Sequence, residues 1–167
     1  MGGLERLRFP TDLGGGAVTE RFLVETVVPG VDWAVPVIRH CVGRTLRAAE
    51  HRNVENAELV VSELTANALL HTHSARSGGL VTVEVSAISD ALVRIEVTDE
   101  GARSVPRAHE PGDEDCHGRG LWLVEQVSAR WGTQARSLGW NTVWAEVLTA
   151  EDIPDALLKV PVAEVGA

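Results

Sequence analysis

The chain has 167 residues, 44% of them hydrophobic, which suffices for one domain with its own core. A net charge of -9 argues against direct binding to nucleic acid, and Lys159, the one lysine, lies too late in the chain for a Walker phosphate loop in its body. Two cysteines, Cys41 and Cys116, and no apolar run near the ~20 residues of a membrane span predict a cytoplasmic protein without membrane contact.

The first part of the chain is predicted to contain one strand followed by two helices. Residues 1–18 are rich in glycine, which is typical of a flexible lead-in. A β-rich run predicts a strand over Thr19–Val28, and apolar residues at helical spacing predict a helix over Val31–Glu50. A second helix is predicted to start at its cap, Asn53, and to end at His71.

Two hairpins and a third helix are predicted for the rest of the chain. Alternation of apolar and polar residues predicts four strands: Leu80–Ala87, Leu92–Thr98, Trp131–Leu138 and Asn141–Leu148. Between the hairpins, residues 99–117 form a long loop, typical of a functional lid, and residues 118–129 a helix.

This order of elements decides the predicted fold class. Strands and helices do not alternate steadily, so a parallel doubly wound sheet is disfavoured. We predict an α+β domain over residues 19–148, with residues 149–167 as a tail. It is a two-layer sandwich with a mixed, mostly antiparallel sheet and helices on one face.

The second predicted helix carries a row of polar side chains along a largely apolar surface. Glu63, Asn67 and His71 are spaced by four, so they lie one above another at the edge of the core. A carboxylate and an amide there are costly unless they meet a charged or hydrogen-bonding group, such as a metal ion with its ligand. On this helix alone, a capped and partly exposed helix is the simpler interpretation.

Two further motifs stand at element ends. Asp99-Glu100-Gly101 follows a strand, and alone this is an ordinary turn. Gly118-Arg119-Gly120-Leu121 opens a helix, where free N–H groups and the helix dipole can receive phosphate. Alone, such a glycine pair often only admits the chain into a helix. A metal site at His73, Cys116 and His117 is disfavoured by its irregular spacing.

Taken in order, the three motifs resemble the ATP-binding domain of the GHKL superfamily, which includes gyrase, heat-shock chaperones, histidine kinases and mismatch-repair proteins. Within it, the chain most resembles the small bacterial anti-sigma-factor serine/threonine kinases. The resemblance covers roughly Thr19 to Leu148 and includes Asn141-Thr142-Val143-Trp144 at the last strand.

The resemblance implies a role for each matching residue. Asn67 would ligate magnesium, and Glu63 would orient or deprotonate the attacking nucleophile. Asp99 would accept a hydrogen bond from the adenine amino group. The remaining implied contacts are Gly101 beside the base, Thr142 on the adenine side, Gly118, Gly120 and the Leu121 amide at the phosphates, and Arg119 as an extra charge there. For His71, a satisfied polar residue at a helix end is favoured over the alternative of a contact on the phosphate side.

The resemblance also implies a function. We expect an ATP- and magnesium-dependent kinase that holds a sigma factor, phosphorylates a serine or threonine of an antagonist protein, and forms a homodimer. One alternative is a nucleotide-gated binding module without phosphoryl transfer, motivated by Arg103, which replaces a glycine common in the family, and by the acidic loop with Glu110, Asp113, Glu114 and Asp115. A weaker alternative is ATP hydrolysis within a larger machine.

Overall fold

An antiparallel sheet carries three helices on one face in this computed structural model, which describes residues 20–101 and 119–150. The strands are β1 (Arg21–Pro29), β2 (Leu80–Ser89), β3 (Leu92–Asp99), β4 (Arg130–Ala135) and β5 (Asn141–Leu148). The helices are α1 (Ala34–Ala48), α2 (Glu55–His71) and α3 (Arg119–Val127). The α+β prediction is confirmed, and each predicted helix and strand has its counterpart.

The sheet has the strand order β1-β2-β3-β5-β4. Each neighbouring pair is antiparallel, including β3 with β5, which are separated in sequence by α3 and β4. The register pairs Ile95 with both Val85 and Ala145, which places apolar residues of three strands in one row. Such rows form the sheet side of the core.

Alternation along the strands separates an apolar face from a polar one. On β3, Val93, Ile95 and Val97 are buried beneath the helices, whereas Arg94 and Glu96 lie on the other side. We call the first side the covered face and the other the open face. The central helix is α2, which packs on β3 and β5 and lies between α1 and α3.

The start of the long second helix differs from the prediction, whereas its end at His71 agrees with it. The N-cap position is Val54, without a side-chain cap, because Asn53 Nδ2 instead donates to the Ala150 carbonyl at 2.6 Å. That bond ties the start of the helix to the chain that follows β5. Thr149 makes a second connection of this kind, since its buried hydroxyl lies 2.7 Å from Nδ1 of His51, which precedes α2. The first two residues of the predicted tail are therefore part of the domain.

The second hairpin has a shorter first strand than predicted. β4 ends at Ala135, and a 3-10 turn, Ser137–Gly139, replaces the last predicted strand residues. In it Leu138 has a φ of 62° and Gly139 a φ of 82°. This conformation cannot continue a strand.

Several predictions concern residues outside the described ranges. They are the lead-in of residues 1–18, most of the tail, the acidic loop, Arg103, Cys116, His117 and Gly118. Among the described helices, none is both long and apolar enough to cross a membrane.

Candidate nucleotide site at the rim of the covered face

The polar row of α2 faces the first turn of α3. A Cβ built on Gly120 would lie 2.6 Å from Glu63 Oε2 and 3.3 Å from Asn67 Nδ2. The absence of a side chain at residue 120 therefore leaves room for the Glu63 carboxylate and the Asn67 amide to lie against the start of α3. The structure thus brings Glu63 and Asn67 of α2 next to Gly120 of α3, which lies 53 residues or more further along the chain.

Asn67 is half-buried, but within the described part of the chain the nitrogen of its side-chain amide is fully buried and lacks a hydrogen bond. Its Nδ2 has no hydrogen-bond partner among the described residues, and it is the one amide among the three buried polar side-chain groups in that state. A buried donor without an acceptor costs about 1–3 kcal/mol. An acceptor that binds at the start of α3, such as a phosphate oxygen, removes this cost.

Magnesium and phosphate fit the groups gathered here. Asn67 and Glu63 supply an amide and a carboxylate, and oxygen donors of these types suit magnesium. The first turn of α3 has backbone N–H groups that no residue within the helix can bond, and its dipole favours an anion. Leu121, 6% exposed, anchors that turn in the core. Arg119 is the first residue of the helix.

Asp99 lies at the end of β3 on the covered face, where it is only 3% exposed. Its Oδ1 accepts a hydrogen bond of 2.7 Å from the Gly101 N–H, and no described residue donates to Oδ2. Burial raises the pKa of Asp99, and the Gly101 N–H partly opposes that rise. A buried carboxyl with one oxygen to offer is suited to accept a hydrogen bond from an amino group.

Gly101 is fixed by both its conformation and its surroundings. Its φ is 75°, and a Cβ there would lie 1.9 Å from the Gly139 carbonyl oxygen. The Gly101 carbonyl accepts from the His73 N–H at 2.9 Å, and the Glu100 N–H donates to Ser74 Oγ at 2.9 Å. These bonds connect the turn after β3 to the chain that follows α2, so Asp99 is held in register with the polar row.

Thr142 is not on the same side of the sheet as Asp99. It pairs with Thr98, and the two hydroxyl oxygens lie 2.8 Å apart on the open face, where the Thr142 oxygen also accepts from Arg136 Nε at 2.9 Å. The prediction that Thr142 lies on the adenine side with Asp99 is wrong, because neighbouring strand residues point to opposite faces.

Asn141 occupies the position that the sequence reasoning gave to Thr142. It pairs directly with Asp99, and its Nδ2 lies 3.3 Å from the Cβ position built on Gly101. The signal was readable in the sequence, since Val143, Ala145 and Val147 mark the odd-numbered residues of β5 as the covered face.

The last residue of the polar row differs from the other two. His71 is exposed at the end of α2, whereas Glu63 and Asn67 are half-buried. Within the described residues, no group of three or more histidine, cysteine or carboxylate side chains could hold a metal ion. A magnesium ion here would therefore depend on phosphate and water oxygens for most of its ligands.

Comparison with known proteins agrees with these motifs. A model of the histidine kinase-like ATPase domain matches residues 32–146, more than half of the chain. That range contains the polar row, Asp99, Asn141 and the start of α3. No curated protein matches the chain.

Proposed function

Since the chain belongs to the histidine kinase-like ATPase domain family, of GHKL type, we propose that it binds ATP with magnesium at the rim of the covered face. The observation that carries the proposal is the approach of Gly120 to Glu63 and Asn67, together with the unpaired, buried amide of Asn67. Both indicate that a polar ligand completes this site.

In the proposed complex, Asn67 binds magnesium and the N–H groups of Gly120 and Leu121 bind phosphate oxygens. Asp99 accepts from the adenine amino group through the oxygen that Gly101 does not bind. Asn141 lies beside both residues and offers a donor and an acceptor to the base edge. Bound magnesium supplies positive charge that offsets the charge of the phosphates.

We propose further that the chain is an anti-sigma-factor kinase whose acceptor is a serine or threonine of an antagonist protein. The acceptor hydroxyl oxygen forms a bond to the γ-phosphorus, while the bond from that phosphorus to the β–γ bridging oxygen breaks. ADP leaves with the electron pair of the broken bond. Glu63 accepts the hydroxyl proton, a role that suits a half-buried carboxylate at the phosphate end of the site.

A binding module gated by nucleotide is the second candidate. Arg103 in place of a family glycine favours it, because arginine lacks the conformational freedom of glycine. In that case the binding of ATP changes the affinity for the partner protein, and no phosphoryl group is transferred. Sigma factor, antagonist and homodimer belong to both candidates as proposed partners.

Two measurements on the full chain test these proposals in turn. Calorimetric titration with ATP and with ADP, each with magnesium, tests the site; failure of both nucleotides to bind contradicts both candidates. Incubation with labelled ATP and a bound antagonist then tests transfer. Glu63→Gln should abolish labelling and keep ATP binding, with Glu55→Gln on the exposed start of α2 as the matched control. Labelling that survives Glu63→Gln contradicts the role of Glu63.

A further inference from the structure

The open face contains a groove that is separate from the nucleotide site. Its volume is about 430 Å³, and residues of the three strands β1, β2 and β3 and of the segment between β4 and β5 line it. They include Glu25, Glu84, Glu96, Leu138 and Trp140. Since these side chains point away from the helices, a ligand in the groove has the whole sheet between itself and α2.

Three carboxylates cross the floor of the groove in one row. Glu25 pairs with Glu84, and Glu84 pairs with Glu96, so like charges stand directly opposite one another on three adjacent strands. Such pairs are destabilising. Glu96 is compensated by Arg94 at 2.6 Å and Arg136 at 3.2 Å.

The other two carboxylates lack this compensation. In the described part of the chain, neither Glu25 nor Glu84 has a cationic group within 4 Å. Burial, the charges of Glu96 and Glu25, and the more distant Glu20 raise the pKa of Glu84, and Arg136 opposes the rise. The groove therefore holds negative charge that the described residues do not neutralise by ion pairs.

Apolar side chains flank the acidic row. Leu138 lines the groove, yet 95% of it is exposed, and its backbone has a φ of 62°. A side chain other than glycine in this conformation costs about 1–2 kcal/mol. On the other side, Val27 is 53% exposed and pairs with Thr82, which also lines the groove. Neither side chain contributes its full area to the core of the domain.

We propose that this groove is a docking surface for a basic, extended segment of a protein partner. Arginine or lysine side chains of the segment pair with Glu25 and Glu84, and an apolar side chain beside them packs on Leu138. Ion pairs formed there remove the repulsion within the acidic row, and covering Leu138 removes exposed apolar area from water.

A second copy of the chain fits the groove less well than a basic partner. Each copy has a net charge of -9. In the described part of the chain, the guanidinium groups on the open face are those of Arg94, Arg130 and Arg136, and they are already bound to Glu96 and Glu146. Two open faces would therefore bring one unneutralised acidic row against another.

A synthetic peptide tests the proposal with the full-length chain. The probe is a fluorescent peptide in which arginines alternate with serines beside one leucine, and its control has glutamate in place of arginine. We expect the arginine peptide alone to bind in fluorescence anisotropy. In NMR spectra it should shift the amide signals of Thr82, Glu84, Thr98 and Leu138.

Matched variants distinguish binding of the peptide in this groove from its general attraction to a negatively charged chain. The pair Glu25→Gln with Glu84→Gln should weaken binding about tenfold, and Leu138→Ser about threefold. The pair Glu50→Gln with Glu125→Gln removes the same charge at exposed positions elsewhere and should change binding less than about twofold. Glu84→Gln should also raise the melting temperature, because it relieves charge repulsion. If Glu84 instead stabilised the fold, the same substitution would lower the melting temperature.

Three outcomes would overturn the proposal. They are no binding of the arginine peptide, an equal loss in the control pair, and NMR shifts confined to the helices. A dimer that forms without peptide and dissociates in Glu84→Gln would assign the groove to a second copy instead. Nucleotide binding, measured in parallel, should be unchanged in all these variants, so the outcome is independent of the function proposed above.

Discussion

The two faces of the sheet are made by alternate residues of the same strands, yet they differ in where their polar groups lie and in what those groups bind. On the covered face, β3 is apolar until its last residue, Asp99, and polar chemistry is confined to the rim. On the open face, charged groups are spread across the sheet; Glu96 and Glu146 bind arginine side chains, whereas Glu25 and Glu84 have no such partner among the described residues. The difference teaches that polar groups at the covered rim are left available for a ligand, whereas on the open face even a buried carboxylate such as Glu146 is paired with arginine side chains of the same chain.

Ile95→Ala should produce the largest loss of stability, because it removes a fully buried side chain from the middle of the covered face. Large-to-small changes at such sites cost about 2–5 kcal/mol of the free energy of unfolding. Chemical denaturation measures the loss, and Ile95→Val should cost about 1 kcal/mol. If Ile95→Ala lowers the free energy of unfolding by less than about 1 kcal/mol, the covered face is not the core.

Asn67→Ala should weaken the binding of ATP with magnesium about 100-fold, or about 2.7 kcal/mol, while leaving the stability of the free chain unchanged or higher. The reason is that its buried Nδ2 has no partner among the described residues. Calorimetry and thermal melting measure the two effects. Asn56→Ala, at an exposed position on the same helix, is the control and should change neither. A large loss of stability without loss of binding would make Asn67 a structural residue.

Glu146→Gln tests whether the open face is held by ion pairs. Glu146 is 4% exposed, accepts from Arg94 at 3.1 Å and from Arg130 at 2.9 Å, and lies beside Trp144, on whose ring Arg94 stacks at 4.1 Å. The substitution replaces the carboxylate that Arg94 and Arg130 share by a neutral amide, which should cost about 2 kcal/mol. Denaturation at low and high salt measures this. No loss would mean that the network contributes only packing.

Glu84→Gln should give the smallest effect, a gain of about 0.5 kcal/mol at neutral pH. The folded chain raises the pKa of this carboxyl above its usual 4.5, so the folded state binds more protons than the unfolded state just above that pH. Stability conferred by Glu84 therefore falls as the pH rises through this range. Denaturation from pH 4 to 7 should show a smaller decline for the variant, and an identical pH dependence would contradict the repulsion.

The sequence was informative wherever a period fixed the geometry. Helical spacing predicted that Glu63 and Asn67 share one edge of α2, and strand alternation predicted the hairpins. It failed where bonding was not local, as when Asn53 bonded the chain after β5 instead of capping its helix. The placement of Thr142 was wrong for another reason, since the alternation that identifies Asn141 was present but a motif was given priority over it.

The groove on the open face could not be predicted from the sequence. Glu25, Glu84 and Glu96 come from three strands, and only the cross-strand register brings them into one row. Sequence patterns indicate which side of a strand is buried, but they do not fix the register between distant strands. The same holds for the approach of Gly120 to α2.

The most direct test of the account is a nuclear magnetic resonance titration of the full chain with a non-hydrolysable ATP analogue and magnesium. We predict amide shifts at Asp99, Gly101, Gly120, Leu121 and Asn141, and movement of the Asn67 side-chain amide, with no change at Glu84 or Glu96 on the open face. Shifts centred on the open face, or none at saturating nucleotide, would contradict the assignment of the covered rim as the nucleotide site.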